Sequence, residues 1–152
     1  MILILALLIG IVAGLRAMTA PAAVALAARF HAWPIEGSWL AFMGYRFTPW
    51  IFALAAAAEL VTDQLPSTPS RKVPPQFGAR IVMGALAGAT IGATAGALWT
   101  GGVAGIVGAV IGTLGGAALR HALARAFGSD RPAALLEDAV ALVGAFLIVS
   151  AV

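Results

Sequence analysis

Gly84, Gly88, Gly92 and Gly96 recur at every fourth position inside a stretch without charge, Ile81 to Trp99. After Gly101-Gly102 glycine returns at Gly105, Gly108, Gly112 and Gly116. In water each glycine costs a helix about 1 kcal/mol relative to alanine. In lipid the missing side chain lets two backbones approach and pack by van der Waals contact. The spacing therefore predicts two closely packed helices in a hydrocarbon solvent. A second use of these glycines, lining a narrow pathway or an oligomer interface, stays open.

Composition agrees. Of 152 residues, 62% are hydrophobic and 10% charged, and the mean hydropathy is +1.02, against about 25% charged residues in a typical soluble domain. The chain has no cysteine, so disulfides, thiolate metal sites and cysteine nucleophiles are excluded. The two histidines, His31 and His121, have no ligand-like spacing. A pI near 10.7 accompanies a net charge of only +3. The basic residues flank apolar runs, where they orient a membrane protein rather than bind nucleic acid.

These features predict an all-α membrane protein: one transmembrane domain of about five helices in a compact bundle, with glycine-zipper packing of the third and fourth and a broken first helix. The expected spans are 2–18 with an extension to 30, 47–65, 79–98, 102–119 with an extension to 127, and 132–151, near the 17 to 25 residues a bilayer needs. The first run lacks a preceding positive charge and has Pro21 where cleavage would fall, so it is expected to be a retained helix rather than a signal peptide. Thr48-Pro49 and Ser129-Asp130-Arg131-Pro132 carry cap-and-proline starts. In a five-span arrangement Arg71, Lys72, Arg80, Arg120, Arg125 and Arg131 share one side, and Trp33, Trp39, Tyr45, Trp50 and Trp99 the other. The positive-inside rule then places the protein in the inner membrane with the N-terminus cytoplasmic and the C-terminus outside. Ala25–Phe30 also resembles Ala122–Phe127, which suggests an inverted repeat of the kind transporters use.

Function has to reside in the few charges kept within these spans. Glu59 and Asp63, four apart, share a helix face, and Glu137 and Asp138 lie early in the last span. Ionised groups at such depth mark a cavity, an ion route or a partner unless they are paired or solvated. The functional reading is a cytoplasm-facing acidic site for a small cation or a proton. The alternative is structural pairing, with Arg80 or Arg120 as the partner of Glu59. Arg16 follows fourteen apolar residues and precedes Thr19-Ala20-Pro21, a helix break whose freed backbone groups suit an anion or a carboxylate. Counted from a cytoplasmic N-terminus Arg16 lies about 22 Å up the helix axis, a depth that argues against a direct pair with the acids unless the first helix is tilted or re-entrant. The loop Ser67-Thr68-Pro69-Ser70-Arg71-Lys72 suits anionic headgroups but is also an ordinary connector.

Three charged segments, Gly14-Leu15-Arg16-Ala17-Met18-Thr19-Ala20-Pro21, Glu59 through Arg71, and Leu135-Leu136-Glu137-Asp138-Ala139, together resemble a family of small bacterial integral membrane proteins labelled domain of unknown function 4126. The resemblance spans nearly the whole chain. It implies a multi-pass inner-membrane protein and transfers no catalytic residue. No phosphate loop, His-Glu-x-x-His or serine triad is present. Catalytic residues and cofactors are therefore not expected, and no metal can be named. Ion or solute movement is the leading expectation, an accessory membrane subunit the second and a metal-dependent lipid-modifying enzyme the third. The small mass leaves room for a homodimer.

Overall fold

The computed structural model describes residues 1–63 and 73–152. Among them the chain is all-helical: α1 (Ile2–Leu15), α2 (Thr19–Phe30), α3 (Thr48–Thr62), α4 (Pro74–Ala93), α5 (Leu98–Phe127) and α6 (Asp130–Ser150), with a 3-10 segment at Trp39–Gly44 before α3. The end of the expected second span, 64–65, and the loop 67–72 lie outside the described residues. Two helices, α5 and α6, are long and apolar enough to cross a membrane by length and composition.

Backbone approach sets the directions of the helices. Cβ atoms added at Gly84, Gly88 and Gly92 would meet Gly105, Gly101 and Ala97 in turn, so α4 runs antiparallel to α5. Gly10 and Gly14 meet Gly105 and Thr113, so α1 runs parallel to α5. Gly108 and Gly112 face Leu7 and Ile11 of α1 rather than α4, and Gly116 is buried on the same helix. One face of α5 thus takes α4 and another takes α1, which corrects the assignment of the whole second glycine row to the α4–α5 hairpin. Gly96 belongs to neither row. It has a φ of +68° and nothing within 4 Å of an added Cβ, so its role is the left-handed turn that ends the helix.

The first helix is broken, as expected, but the break reverses the chain. Val12 lies beside Gly144, and Arg16 reaches Asp138, so α1 runs antiparallel to α6. From the break α2 returns along the later part of α6, with Thr19 to His31 facing Leu142 to Ser150. The α1–α2 pair therefore enters and leaves at one end of the bundle, the end that also holds the C-terminus. A five-span path with its termini on opposite sides does not fit this geometry. α1 and α2 are thus two short helices of 14 and 12 residues in place of one continuous helix. The similarity of Ala25–Phe30 to Ala122–Phe127 also separates in three dimensions. The first segment follows the break, whereas the second continues an uninterrupted α5 of 30 residues.

Small and polar residues make up much of the buried set, joined by larger apolar ones such as Ile9, Leu40, Met43 and Ile91, while many other large apolar side chains are exposed. Alanines and glycines dominate the interior together with Arg16, Thr19, Arg80, Thr90, Thr113, Glu137 and Asp138. Leu54, Ile111, Leu114, Val143, Phe146 and Leu147 point outward. Trp39, Tyr45, Trp50 and Trp99 are exposed, while Trp33 is buried in the core.

Candidate functional site

The site is built on the α1–α2 break. α1 ends at Leu15, Arg16 is extended (φ −138°, ψ 109°), and α2 restarts at Thr19. Pro21 falls in the first turn of α2, where its missing N–H is one that the helix would not have bonded. Breaking a helix inside an apolar bundle leaves donors at one new end and acceptors at the other. Both sets are met by charged side chains from other helices. The backbone N–H groups of Ala17 and Met18 donate to Glu59 Oε1 and Oε2, each at 2.8 Å. Arg80 Nη1 donates to the carbonyls of Leu15 at 2.8 Å and Gly14 at 3.2 Å. Thr113 Oγ1, which donates to Ala109 O at 2.7 Å, also approaches Gly14 O at 3.3 Å. An acid thus sits at the positive N-terminus of α2 and a base at the negative C-terminus of α1, the arrangement a helix dipole favours. Glu59 and Arg80 are themselves 3.9 Å apart.

Arg16 occupies the centre and is fully buried. Its Nε donates to Asp138 Oδ1 at 2.6 Å, its Nη2 pairs with the same carboxylate, and its Nη1 pairs with Asp63 Oδ2. One planar guanidinium therefore ties α1 to α3 and α6, a task suited to its fork of donors. Arg16 would lie far from the acids only if α1 started on the acidic side. It starts at the opposite end, so the same rise of about 22 Å delivers Arg16 to the acids.

Glu137 does not join this cluster. Adjacent positions on a helix point about 100° apart. While Asp138 meets Arg16, Glu137 Oε2 lies 3.6 Å from Arg120 Nη1 on α5. Arg120 also holds Asp130 through Nε at 3.0 Å and Nη2 at 2.6 Å. The candidate acids therefore divide into Glu59, Asp63 and Asp138 at the break and Glu137 at the α5–α6 crossing. Among the described residues no group of three or more acids and histidines is placed to hold a metal ion.

Sequence reasoning named Arg80 only as an orienting charge and as one partner for Glu59, and did not single out Thr113. The signal for both was available, since a helix break requires donors for its carbonyls as well as acceptors for its amides. No protein-family model, curated protein or solved structure matches this chain.

Proposed function

We propose that this is a multi-pass inner-membrane protein that binds or translocates a small ion or solute at the α1–α2 break, with Glu59, Asp63 and Asp138 as the cation- or proton-accepting groups and Arg16 as their counter-charge. The observation that carries the reading is the Glu59 carboxylate spanning the Ala17 and Met18 amides beside a fully buried arginine. Non-helical backbone at membrane depth is tolerated where protein buries it or a polar cavity meets it, and discontinuous helices are where transporters place their sites. The outward Leu, Ile and Phe side chains support a lipid surround, and the close α4–α5 backbones support glycine-zipper packing within it. Described parts of the three segments that resemble the domain of unknown function 4126 family come together here, and membership of that family is part of the proposal.

Protonation is the natural trigger. Ionised Glu59 accepts two amide hydrogen bonds; a protonated carboxyl keeps less acceptor capacity and no charge, which loosens the start of α2. Arg16 is shared between Asp63 on α3 and Asp138 on α6, so a proton or cation taken by either acid shifts the guanidinium toward the other. Two arrangements of one buried arginine are a physical basis for alternating states.

In reconstituted vesicles we expect pH- or cation-dependent flux that Glu59→Gln abolishes and that Glu137→Gln, whose carboxylate meets Arg120 rather than Arg16, reduces far less. Flux that survives Glu59→Gln unchanged removes the carboxylate mechanism.

The positive-inside rule assigns the end bearing Arg80, Arg120, Arg125 and Arg131 to the cytoplasm; both termini then face outward. The cysteine-free chain allows a direct check. Ile2→Cys and Val152→Cys are expected to react with an impermeant maleimide from the same side, and Ser129→Cys only after permeabilisation. Labelling of Ile2→Cys from the side of Ser129→Cys restores the five-span path.

A further inference from the structure

A cavity of about 430 Å³ lies between α2, α3 and α6, within the ~300–1,000 Å³ range of small-molecule sites. α3 and α6 each pack on α2, and the exposed wall residues Ala57, Leu142 and Phe146 open the cavity sideways between them. Ala22, Leu26, Ala56, Leu60 and Ala145 continue an apolar lining. Along α2 it extends from Thr19 to His31, about 18 Å at 1.5 Å per residue, close to one leaflet of the ~30 Å hydrocarbon core. A groove of this length and lining suits a hydrocarbon chain lying along α2.

The mouth of the groove is polar. His31 and Ser150 lie on its wall and are exposed. α3 runs antiparallel to α2, because its Glu59 meets the amides that precede α2, so α3 starts at this same end. Arg29, in the last turn of α2, and Arg46, just before α3, are exposed there, with the Arg46 guanidinium 5.6 Å over the Phe47 ring. Glu36 is the one acid in the sequence between α2 and α3. Trp39 and Tyr45 on that connection and Trp50 in the first turn of α3 are exposed, as aromatic residues at headgroup level are. The mouth is therefore basic and interfacial while the interior is apolar, which complements a lipid with an anionic head. α3 itself lacks a packed face toward α6. Pro49 and Ala56 are its only buried residues, so its hold on the bundle comes largely from α2 and from Glu59 and Asp63. A chain in the groove covers the α3 wall.

We infer that the groove holds one acyl chain of an anionic phospholipid, with its phosphate at the mouth among Arg29, His31 and Arg46. This needs the lipid surround proposed above and is independent of ion movement.

The test uses the full chain in phosphatidylcholine nanodiscs with a trace of phosphatidylglycerol bearing a diazirine on one acyl chain. Photolabelling is expected at Leu26, Ala57 and Phe146 and is suppressed by added phosphatidylglycerol. The same probe with a phosphatidylcholine head is expected to label these positions far less. Arg29→Gln and Arg46→Gln, both at exposed positions, are each expected to lower that selectivity about fivefold, the scale of one basic residue at an anionic surface. Ala57→Trp fills the groove from an exposed position on its wall and is expected to abolish labelling within it. Equal labelling by the two probes, labels spread evenly onto Ile111 and Leu114 of the outward α5 face, or full selectivity in a folded Arg29→Gln, Arg46→Gln double variant overturns the inference. Selective groove labelling in a protein that moves no ion keeps this site and removes the transport reading; Glu59-dependent flux without such labelling does the reverse.

Discussion

Arg16→Met is expected to cost about 3–5 kcal/mol, the range for removing one partner of a buried ion pair. Against a total stability of about 5–15 kcal/mol, that loss leaves much of the protein unfolded or aggregated in detergent. Methionine keeps most of the volume, so the cost isolates charge and hydrogen bonding from cavity formation. Removing Arg16 takes a buried charge partner from both Asp63 and Asp138, and it cuts the side chain that ties α1 to α3 and α6. Arg16→Lys is expected to fall between native and Met, because a single ammonium cannot reproduce donation from Nε and Nη1 to carboxylates on two helices. The triple variant Arg16→Met, Asp63→Asn, Asp138→Asn is expected to recover part of the loss, since well-packed neutral replacements of a buried charge cluster are often close to neutral. Thermal unfolding followed by circular dichroism, with size exclusion as the check on the folded fraction, measures all three. An Arg16→Met protein within about 1 kcal/mol of native would show that the guanidinium does not hold the bundle together.

Much of the local structure was legible from residue chemistry. α3 begins at Thr48-Pro49, α6 follows Ser129, and the charge-free glycine run is helical through Ala93. The N-cap of α3 is Phe47 rather than Thr48, however, and neither helix start has a side-chain cap hydrogen bond. Boundaries shifted by a few residues where propensity competes with tertiary support: α4 starts at Pro74 rather than 79, because proline suits a first turn, and α5 starts at Leu98 rather than 102. The break after Arg16 was also readable from Thr19-Ala20-Pro21, as was a carboxylate held by its freed amides. What periodicity could not convey was the direction of the chain after the break. A stretch of 14 apolar residues followed by 12 more reads equally as one kinked crossing or as two halves of a re-entrant pair. The distinction decides whether Arg16 lies far from the acids or among them. The positive-inside count could not resolve it, because Arg29, in the last turn of α2, and Arg46, just before α3, flank the same connection in either path. Nor could glycine spacing tell which neighbour each glycine meets. Gly105 faces both Gly84 and Gly10, while Gly108, three residues later, faces α1.

That division of glycines yields an expected result with opposite signs along one helix pair. Gly115→Ala on α5 is expected to be neutral or stabilising by up to about 1 kcal/mol, since an added Cβ there meets nothing within 4 Å and alanine is the better helix former. Gly88→Ala gains the same propensity but is expected to destabilise. Its Cβ would lie 2.5 Å from the Gly101 carbonyl oxygen and 2.8 Å from the Gly105 Cα, both backbone atoms that cannot rotate away. Separating α4 from α5 to make room forfeits dispersion contact along the whole seam, so a net loss of about 1–3 kcal/mol is expected, the usual range for overpacking. Leucine at the same position should cost more. Gly101→Ala is expected to behave like Gly88→Ala, because its Cβ would lie 2.5 Å from the Gly88 carbonyl oxygen. The double variant is expected to cost less than the sum, since a helix pair already forced apart by one methyl accommodates the other. Gly108→Ala tests the α1 seam in the same way: its Cβ would lie 2.8 Å from the Ile11 amide nitrogen, so it should be as damaging as Gly88→Ala. Were that face of α5 not covered by α1, Gly108→Ala would follow Gly115→Ala and leave the melting temperature unchanged or raised.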